Sequence, residues 1–196
     1  MFKKIILAAC VIASAAFAQI SVGGHAAANM STMWGDNADD IASSFGFAAG
    51  VEAKITLPAL PLAVVPGVMI DMRNSCGDDD DKATMTTWAL DIPVMVRFSI
   101  IPAFYVQAGP TLGFLLSHSE AYDGEDMPDE FVPETNTFEF GLAFGVGTSI
   151  LPMLDIDFRV NMGLTNVFED MDMGFATEEI DAKNLQFALG VTYWFM

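Results

Sequence analysis

Residues 154–164, LDIDFRVNMGL, alternate without a break. Leu154, Ile156, Phe158, Val160, Met162 and Leu164 are apolar, and Asp155, Asp157, Arg159, Asn161 and Gly163 stand between them. Successive side chains of an extended strand point to opposite faces. One face of this stretch is therefore wholly apolar and the other carries charge. Two surroundings accept such a strand. In a soluble sandwich the charged face meets water and the apolar face a core. In a membrane barrel the apolar face meets lipid and the charged face an enclosed lumen.

The pattern recurs in eight segments, near 20–33, 44–57, 62–74, 84–100, 104–117, 136–150, 154–168 and 184–196. The first is the weakest, with Ile20 and Val22 against Ser21, His25, Asn29 and Ser31. The fourth sets Trp88, Leu90, Ile92, Val94, Val96, Phe98 and Ile100 against Thr87, Asp91, Arg97 and Ser99. Every charged residue inside the segments falls on the polar parity: Glu52, Lys54, Asp71, Arg73, Asp91, Arg97, Glu139, Asp155, Asp157 and Arg159. Hydrocarbon enforces that rule, because a Lys or Arg facing lipid at the midplane costs about 2–4 kcal/mol. The segments are also long enough, since a tilted spanning strand needs about 9–11 residues.

The chain is 53% hydrophobic, yet beyond residue 18 it has no run of 18 apolar residues. Helical spans are therefore excluded as the home of that hydrophobicity. Connections alternate in length. The short ones, near 58–61, 101–103 and 151–153, each contain proline; the long ones lie near 34–43, 75–83, 118–135 and 169–183. Outer-membrane barrels show the same asymmetry, with short turns in the periplasm and long loops outside. Charge sorts the same way. Of the 26 acids, six lie on the strand faces with four bases, and the other twenty lie in the long connections with only Lys82 and Lys183. The formal charge of −18 thus sits on the outer rim. A sandwich explains the alternation but not the nearly balanced inward charge or the aromatic ending VTYWFM. The expected fold is an all-β, eight-stranded antiparallel up-and-down transmembrane barrel with short periplasmic turns and long acidic extracellular loops.

Residues 1–18 read as a secretory signal: Lys3 and Lys4, an apolar stretch from Ile5 to Ala15, then Ala16-Phe17-Ala18 before a cut at Gln19. The barrel domain would be residues 19–196. Leu7-Ala8-Ala9-Cys10 offers a lipobox as the competing reading, with an apolar region shorter than a signal requires. Once the signal is removed only Cys76 remains, so no internal disulfide forms.

DIPVMVRF (91–98), FYVQAGPTLGFLLS (104–117), FEFGLAFGVGTSI (138–150), DFRVNMGLTNV (157–167) and LQFALGVTYWF (185–195) together resemble the outer-membrane β-barrel domain family, small porin-like barrels of the OmpA and OmpX type. The resemblance covers nearly all of residues 19–196 in order. It implies an eight-stranded barrel in the outer membrane of a diderm bacterium. It also implies a C-terminal aromatic signal read by the barrel-insertion machinery, which Tyr193 and Phe195 fit, with Met196 following. Pro66, Pro93 and Pro110 lie inside strands, where bulges or local breaks are expected.

Chemistry is sparse. In SHSE (117–120) the serines point away from His118 on a strand, so a base within reach of a nucleophile is missing. His25 reads as a lumen hydrogen-bonding group. GDDDDK (77–82) lacks the spaced ligands of a calcium loop, and weak collective attraction of divalent cations to all four loops is the better expectation. The acidity argues against nucleic acid, whose phosphates call for Lys and Arg. No cofactor or metal site is expected. Inward glycines (Gly46, Gly50, Gly67, Gly109, Gly113, Gly141, Gly145, Gly147, Gly163 and Gly190) could leave cavities, but Met69, Met85, Met95, Tyr105, Leu115 and Trp194 also point inward. A small barrel fills its interior with side chains, so a plugged lumen is expected.

The sequence therefore describes a monomeric, non-enzymatic barrel that touches outer-membrane lipid and presents acidic loops for envelope integrity, surface interaction or adhesion. A narrow channel for ions or small solutes is the alternative, and a lipid-modifying enzyme stands lower still. The ten charged strand residues would pair across the lumen. Phe98, Phe104, Tyr193 and Phe195 would form the periplasmic aromatic belt, and Phe45, Phe114 and Phe168 the outer one. Val160→Arg is expected to cost about 2–4 kcal/mol and to block insertion, whereas Asn161→Arg is tolerated. Recovery of heat-modifiable protein in the outer-membrane fraction measures both.

Overall fold

The computed structural model describes residues 19–35, 41–58, 60–77, 83–122, 125–126, 136–166, 171–172, 177–178 and 183–195. Eight long strands carry the architecture: β1 (Gln19–Trp34), β2 (Ile41–Thr56), β3 (Leu62–Gly77), β4 (Ala83–Ile101), β5 (Phe104–Tyr122), β6 (Phe138–Leu151), β7 (Leu154–Gly163) and β8 (Lys183–Trp194). Two-residue ladders extend the long-connection end, Glu125–Asp126 beside β5 and Met171–Asp172 against Thr177–Glu178. Each long strand pairs antiparallel with the next, and β1 closes the ring on β8 from Gly23↔Trp194 to Trp34↔Lys183. Closure leaves no open strand edge in hydrocarbon, where an unpaired backbone group would find no water.

The two faces separate as the alternation requires. Phe144, Phe158 and Leu189 are on the outside and exposed, as are Phe45, Phe98, Phe104, Phe114, Tyr193 and Phe195. Phe168 lies outside the described residues. The inward face buries Glu52, Asp71, Arg97, Asp155, Asp157 and Arg159 together with Met69, Met95, Tyr105 and Trp194. Along β8 the burial alternates from Lys183 to Trp194 without a slip.

The prolines interrupt the ladder without shifting it. Pairing of β2 with β3 lapses between Glu52↔Gly67 and Ile55↔Val64, beside Pro66. It lapses between Pro66↔Val94 and Met69↔Asp91 beside Pro93, and between Pro93↔Thr111 and Val96↔Ala108 beside Pro110. Register resumes unchanged each time, so these are local breaks of missing donors, one of the two outcomes expected there. The bulges lie elsewhere, at Ser43/Phe47, Trp88/Ala89, Ser99/Ile101 and Ser149/Leu151, near the barrel rims.

The seventh strand is shorter than the sequence suggests, ending at Gly163 instead of 168. Thr165 supplies the reason. Its hydroxyl accepts the Phe140 N–H (3.0 Å), and the Leu164 and Thr165 amides both turn onto the Phe140 carbonyl. A side chain thus replaces the next rung. The sixth strand begins at Phe138, not 136, with the Asn136 side chain donating to the Asn166 carbonyl at 3.0 Å.

Two inward glycines show why a side chain is refused there. At Gly147 a Cβ would run into the Tyr105 ring, which folds across it. At Gly109, beside the Pro110 break, it would collide with the Val94 carbonyl oxygen. Gly109→Ala is expected to destabilise the barrel by about 1–3 kcal/mol, as overpacking does. Gly24→Ala, whose Cβ would meet only the Phe195 ring edge at 3.4 Å, is expected to stay within about 0.5 kcal/mol. Urea unfolding from lipid vesicles compares the two.

Candidate functional site

The lumen is where the strands bring the chain's ionic groups together, and it does so in three layers. Nearest the short turns, Arg97 reaches across from β4 to Asp155 on β7 (2.6 Å) and to Gln107 (3.3 Å), while its guanidinium lies 3.7 Å over the Tyr105 ring. Asp155 also accepts from the Trp194 indole (2.8 Å) and the Ser149 hydroxyl (2.7 Å). Lys54, placed by the sequence among the ion pairs, stands instead with its ammonium 4.2 Å over the Trp194 ring.

The middle layer centres on Arg159, which binds Glu52 from β2 at 2.8 Å and its own-strand neighbour Asp157. Asp157 and Arg159 are two residues apart and so share a face, which lets one guanidinium hold a carboxylate beside it and another across the lumen. Gln107 links this layer to the one below by donating to Asp157 (3.4 Å). His25 meets Thr192 at 2.9 Å, and Thr192 donates to Glu52 at 3.4 Å. His25 is thus a lumen hydrogen-bonding group.

The upper layer gathers Arg73 with three carboxylates: Asp71 (2.8 Å), Asp91 (2.6 Å) and Glu139. Asp71 accepts further bonds from Asn29 and Gln186, each at 2.7 Å, and Gln186 accepts from Asn161 at 2.6 Å. Three carboxylates converge there, but a guanidinium occupies the centre. Among the described residues no His, Cys, Asp or Glu group is arranged to hold a metal ion.

The ionic groups of the lumen, six acids and four bases, are unevenly spread along its axis. One guanidinium faces three carboxylates in the upper layer and two in the middle; in the lowest, Arg97 and Lys54 face Asp155 alone. Formal charge therefore climbs from about −2 near the long connections to +1 near the short turns. Alternation assigns facing but not height or partner, so the gradient could not be read from the sequence. The uncharged linkers Asn29, Gln107, Asn161 and Gln186 sat on the polar parity, but nothing in a strand pattern says which carboxylate each would reach.

Across the middle and lowest layers the bore is filled. Glu52, Arg97, Asp155, Asp157, Arg159 and Trp194 are each 4% exposed or less. Above them is a hollow of about 40 Å³ reaching Asp71, Arg73, Asp91 and Glu139; below them, at the turn end, is one of about 190 Å³. Ser117 and Ser119 of SHSE are exposed; the His118 and Glu120 side chains, that of Cys76 and residues 78–82 of the acidic run lie outside what is described, as do Cys10 and the rest of residues 1–18.

Buried ion pairs make little net stability but are costly to break, because one removed partner strands the other. Arg159→Met leaves Glu52 and Asp157 without their guanidinium and is expected to cost about 3–5 kcal/mol. Adding Glu52→Gln and Asp157→Asn is expected to return most of that loss. Urea midpoints of the single and triple variants in vesicles provide the measurement.

This closed barrel is similar to solved structures of small outer-membrane proteins. Neisserial surface protein A superposes with a TM-score of 0.55 at 14% identity, over 89% of this chain and 98% of that one. Ail, the attachment invasion locus protein of Yersinia pestis, gives 0.49 at 13%, over 89% and 98%. OprG from Pseudomonas aeruginosa gives 0.43 at 13%, over 90% and 95%. No curated protein sequence matches the chain. The outer membrane protein beta-barrel domain matches residues 16–169, most of the length. With the ring closed and its apolar face outward, the chain belongs to the outer membrane β-barrel domain family and resides in the outer membrane of a diderm bacterium.

Proposed function

We propose that this barrel is a non-enzymatic surface protein whose lumen is a structural plug and whose working part is its acidic outer rim. The observation that carries the reading is the pair of buried layers around Arg97 and Arg159, which fill the bore with mutually bonded side chains. A solute would have to break several charge-assisted bonds to pass. The part assigned here to the exterior is the set of long connections, which by sequence carry twenty of the 26 acids. Such a rim suits envelope integrity, surface interaction or adhesion through partners that tolerate dense negative charge. Divalent cations bridging it to other anionic surfaces are the chemistry expected of many weakly cooperating carboxylates. Lipid around the apolar wall and the insertion machinery reading Tyr193 and Phe195 are the other partners proposed. A monomer satisfies every strand edge without help.

The hollows above and below the plug favour one rival, a narrow channel. In planar bilayers the purified protein is expected to give no discrete conductance steps; reproducible steps would establish the channel. The rim is tested on whole cells. Replacing Asp78–Asp81 and the acids of 123–134 by Asn and Gln is expected to make the electrophoretic mobility of displaying cells less negative and to lower calcium-dependent association. Unchanged mobility would show that these connections do not face the medium.

A further inference from the structure

The two ends of the barrel wall finish differently. Toward the long connections the outward face turns polar: Thr32, Asn74, Thr86 and Lys183 take the outward positions just above Met30, Met72, Trp88 and Leu185. Toward the short turns no such collar forms. Residues 55–66, 98–105 and 146–154 contain no charged side chain, and the turn tips expose Leu60, Ile100, Ile101, Ile150, Leu151 and Met153. Six large apolar side chains gathered at one end exceed the scattered exposure of an ordinary surface and mark a face that something covers. The backbone of the tips is also prepared to leave water. The Pro61, Ala103 and Met153 carbonyls accept the Ser99, Ser149 and Trp194 amides, each at 2.8 Å. Leu57 donates to the Leu62 carbonyl at 3.0 Å and accepts from the Leu60 amide at 3.3 Å. Pro58, Pro61, Pro102 and Pro152 have no N–H to strand. Hydrocarbon and its boundary demand such pairing, and water does not.

Continuity and reach say what covers the tips. The lipid-facing wall runs into them without a break: Phe98 leads to Ile100 on β4, and Val146 to Ile150 on β6 with only the Thr148 hydroxyl between. Below the polar collar the outward face spans twelve residues from Trp88 to Ile100, and ten from Met72 to Leu62 on β3 and from Leu185 on β8 to Phe195. At about 3.3 Å per residue and a tilt of about 40°, these stretches cover about 25–30 Å. The apolar band of such barrels and the hydrocarbon core have the same height. A membrane hung from the collar therefore ends at the tips. We infer that the short turns insert into the periplasmic leaflet of the outer membrane and bind phospholipid at its acyl–headgroup boundary, instead of projecting into the periplasm. With no charge to desolvate, they enter that boundary at little electrostatic cost. A periplasmic protein with an apolar groove would instead need the tips in water, beyond the acyl chains.

The full barrel is placed in phosphatidylcholine nanodiscs, which leave both faces of the membrane open to solvent. Leu60→Cys, Ile101→Cys and Leu151→Cys, each combined with Cys76→Ser, carry a fluorophore at one tip, and only heat-modifiable, folded protein is read. Phosphatidylcholine spin-labelled on its acyl chain near the headgroup is expected to quench all three labels. Iodide in the buffer is expected to quench them at least threefold less than it quenches the free fluorophore. Iodide quenching equal to that of the free fluorophore, with none from the spin-labelled lipid, overturns the inference and leaves the tips to a periplasmic protein. Shielding from iodide without quenching by the lipid overturns it as well, because the tips then cover one another. The unmodified barrel gives a test without a variant. A phosphatidylcholine carrying a diazirine near its headgroup is expected to label residues 57–62, 100–104 and 150–154, and labelling confined to the strands above them overturns the inference equally.

Discussion

Backbone satisfaction in a medium without water is the constraint on which everything else in this protein rests. Within hydrocarbon every N–H and C=O must find a partner in the chain. An antiparallel sheet leaves two unpaired edges unless its first and last strands meet. Here β1 and β8 meet along almost their whole length, and the ring closes. Closure then converts a local rule, alternation, into a global one. Every second residue faces lipid, and every other residue faces a space too narrow to hold much besides side chains. The prolines show how firmly the ring is set. Each removes a donor and opens a short gap, yet the register beyond it is the register before it.

The lumen solves the second problem, how to place charge inside a low-dielectric wall. It does so with guanidinium groups, whose flat fork can serve two or three carboxylates at once. Arg73 binds three acids and Arg159 two; Arg97 binds one acid and lies against an aromatic face. Amides from Asn29, Asn161, Gln107 and Gln186 connect those centres, so that most carboxylate oxygens carry a donor. The result is a packed interior whose charge is graded along the axis. The negative end lies toward the acidic connections and the positive end toward the periplasm.

Much of this was legible in the sequence, and the reason is that the membrane makes one error expensive. A charge on the lipid face costs several times the thermal energy. The parity of Glu52, Lys54, Asp71, Arg73, Asp91, Arg97, Glu139, Asp155, Asp157 and Arg159 therefore carried their facing without ambiguity. Strand ends were less readable. The halt at Gly163 depends on Thr165 capturing the Phe140 amide, a contact 25 residues apart that no periodicity announces. The bulges near the rims were likewise silent, whereas the prolines announced the gaps.

By itself the sequence determined the number of strands, the face each side chain takes and the sorting of acids to the long connections, because all three follow from period-two patterning under a hydrocarbon penalty. Only the tertiary structure decided who meets whom inside. The height at which each strand places its ionic residues is set by register between neighbours, and register depends on turn length and bulges. That is why Lys54 finds the Trp194 ring instead of a carboxylate and why Arg73 collects three acids.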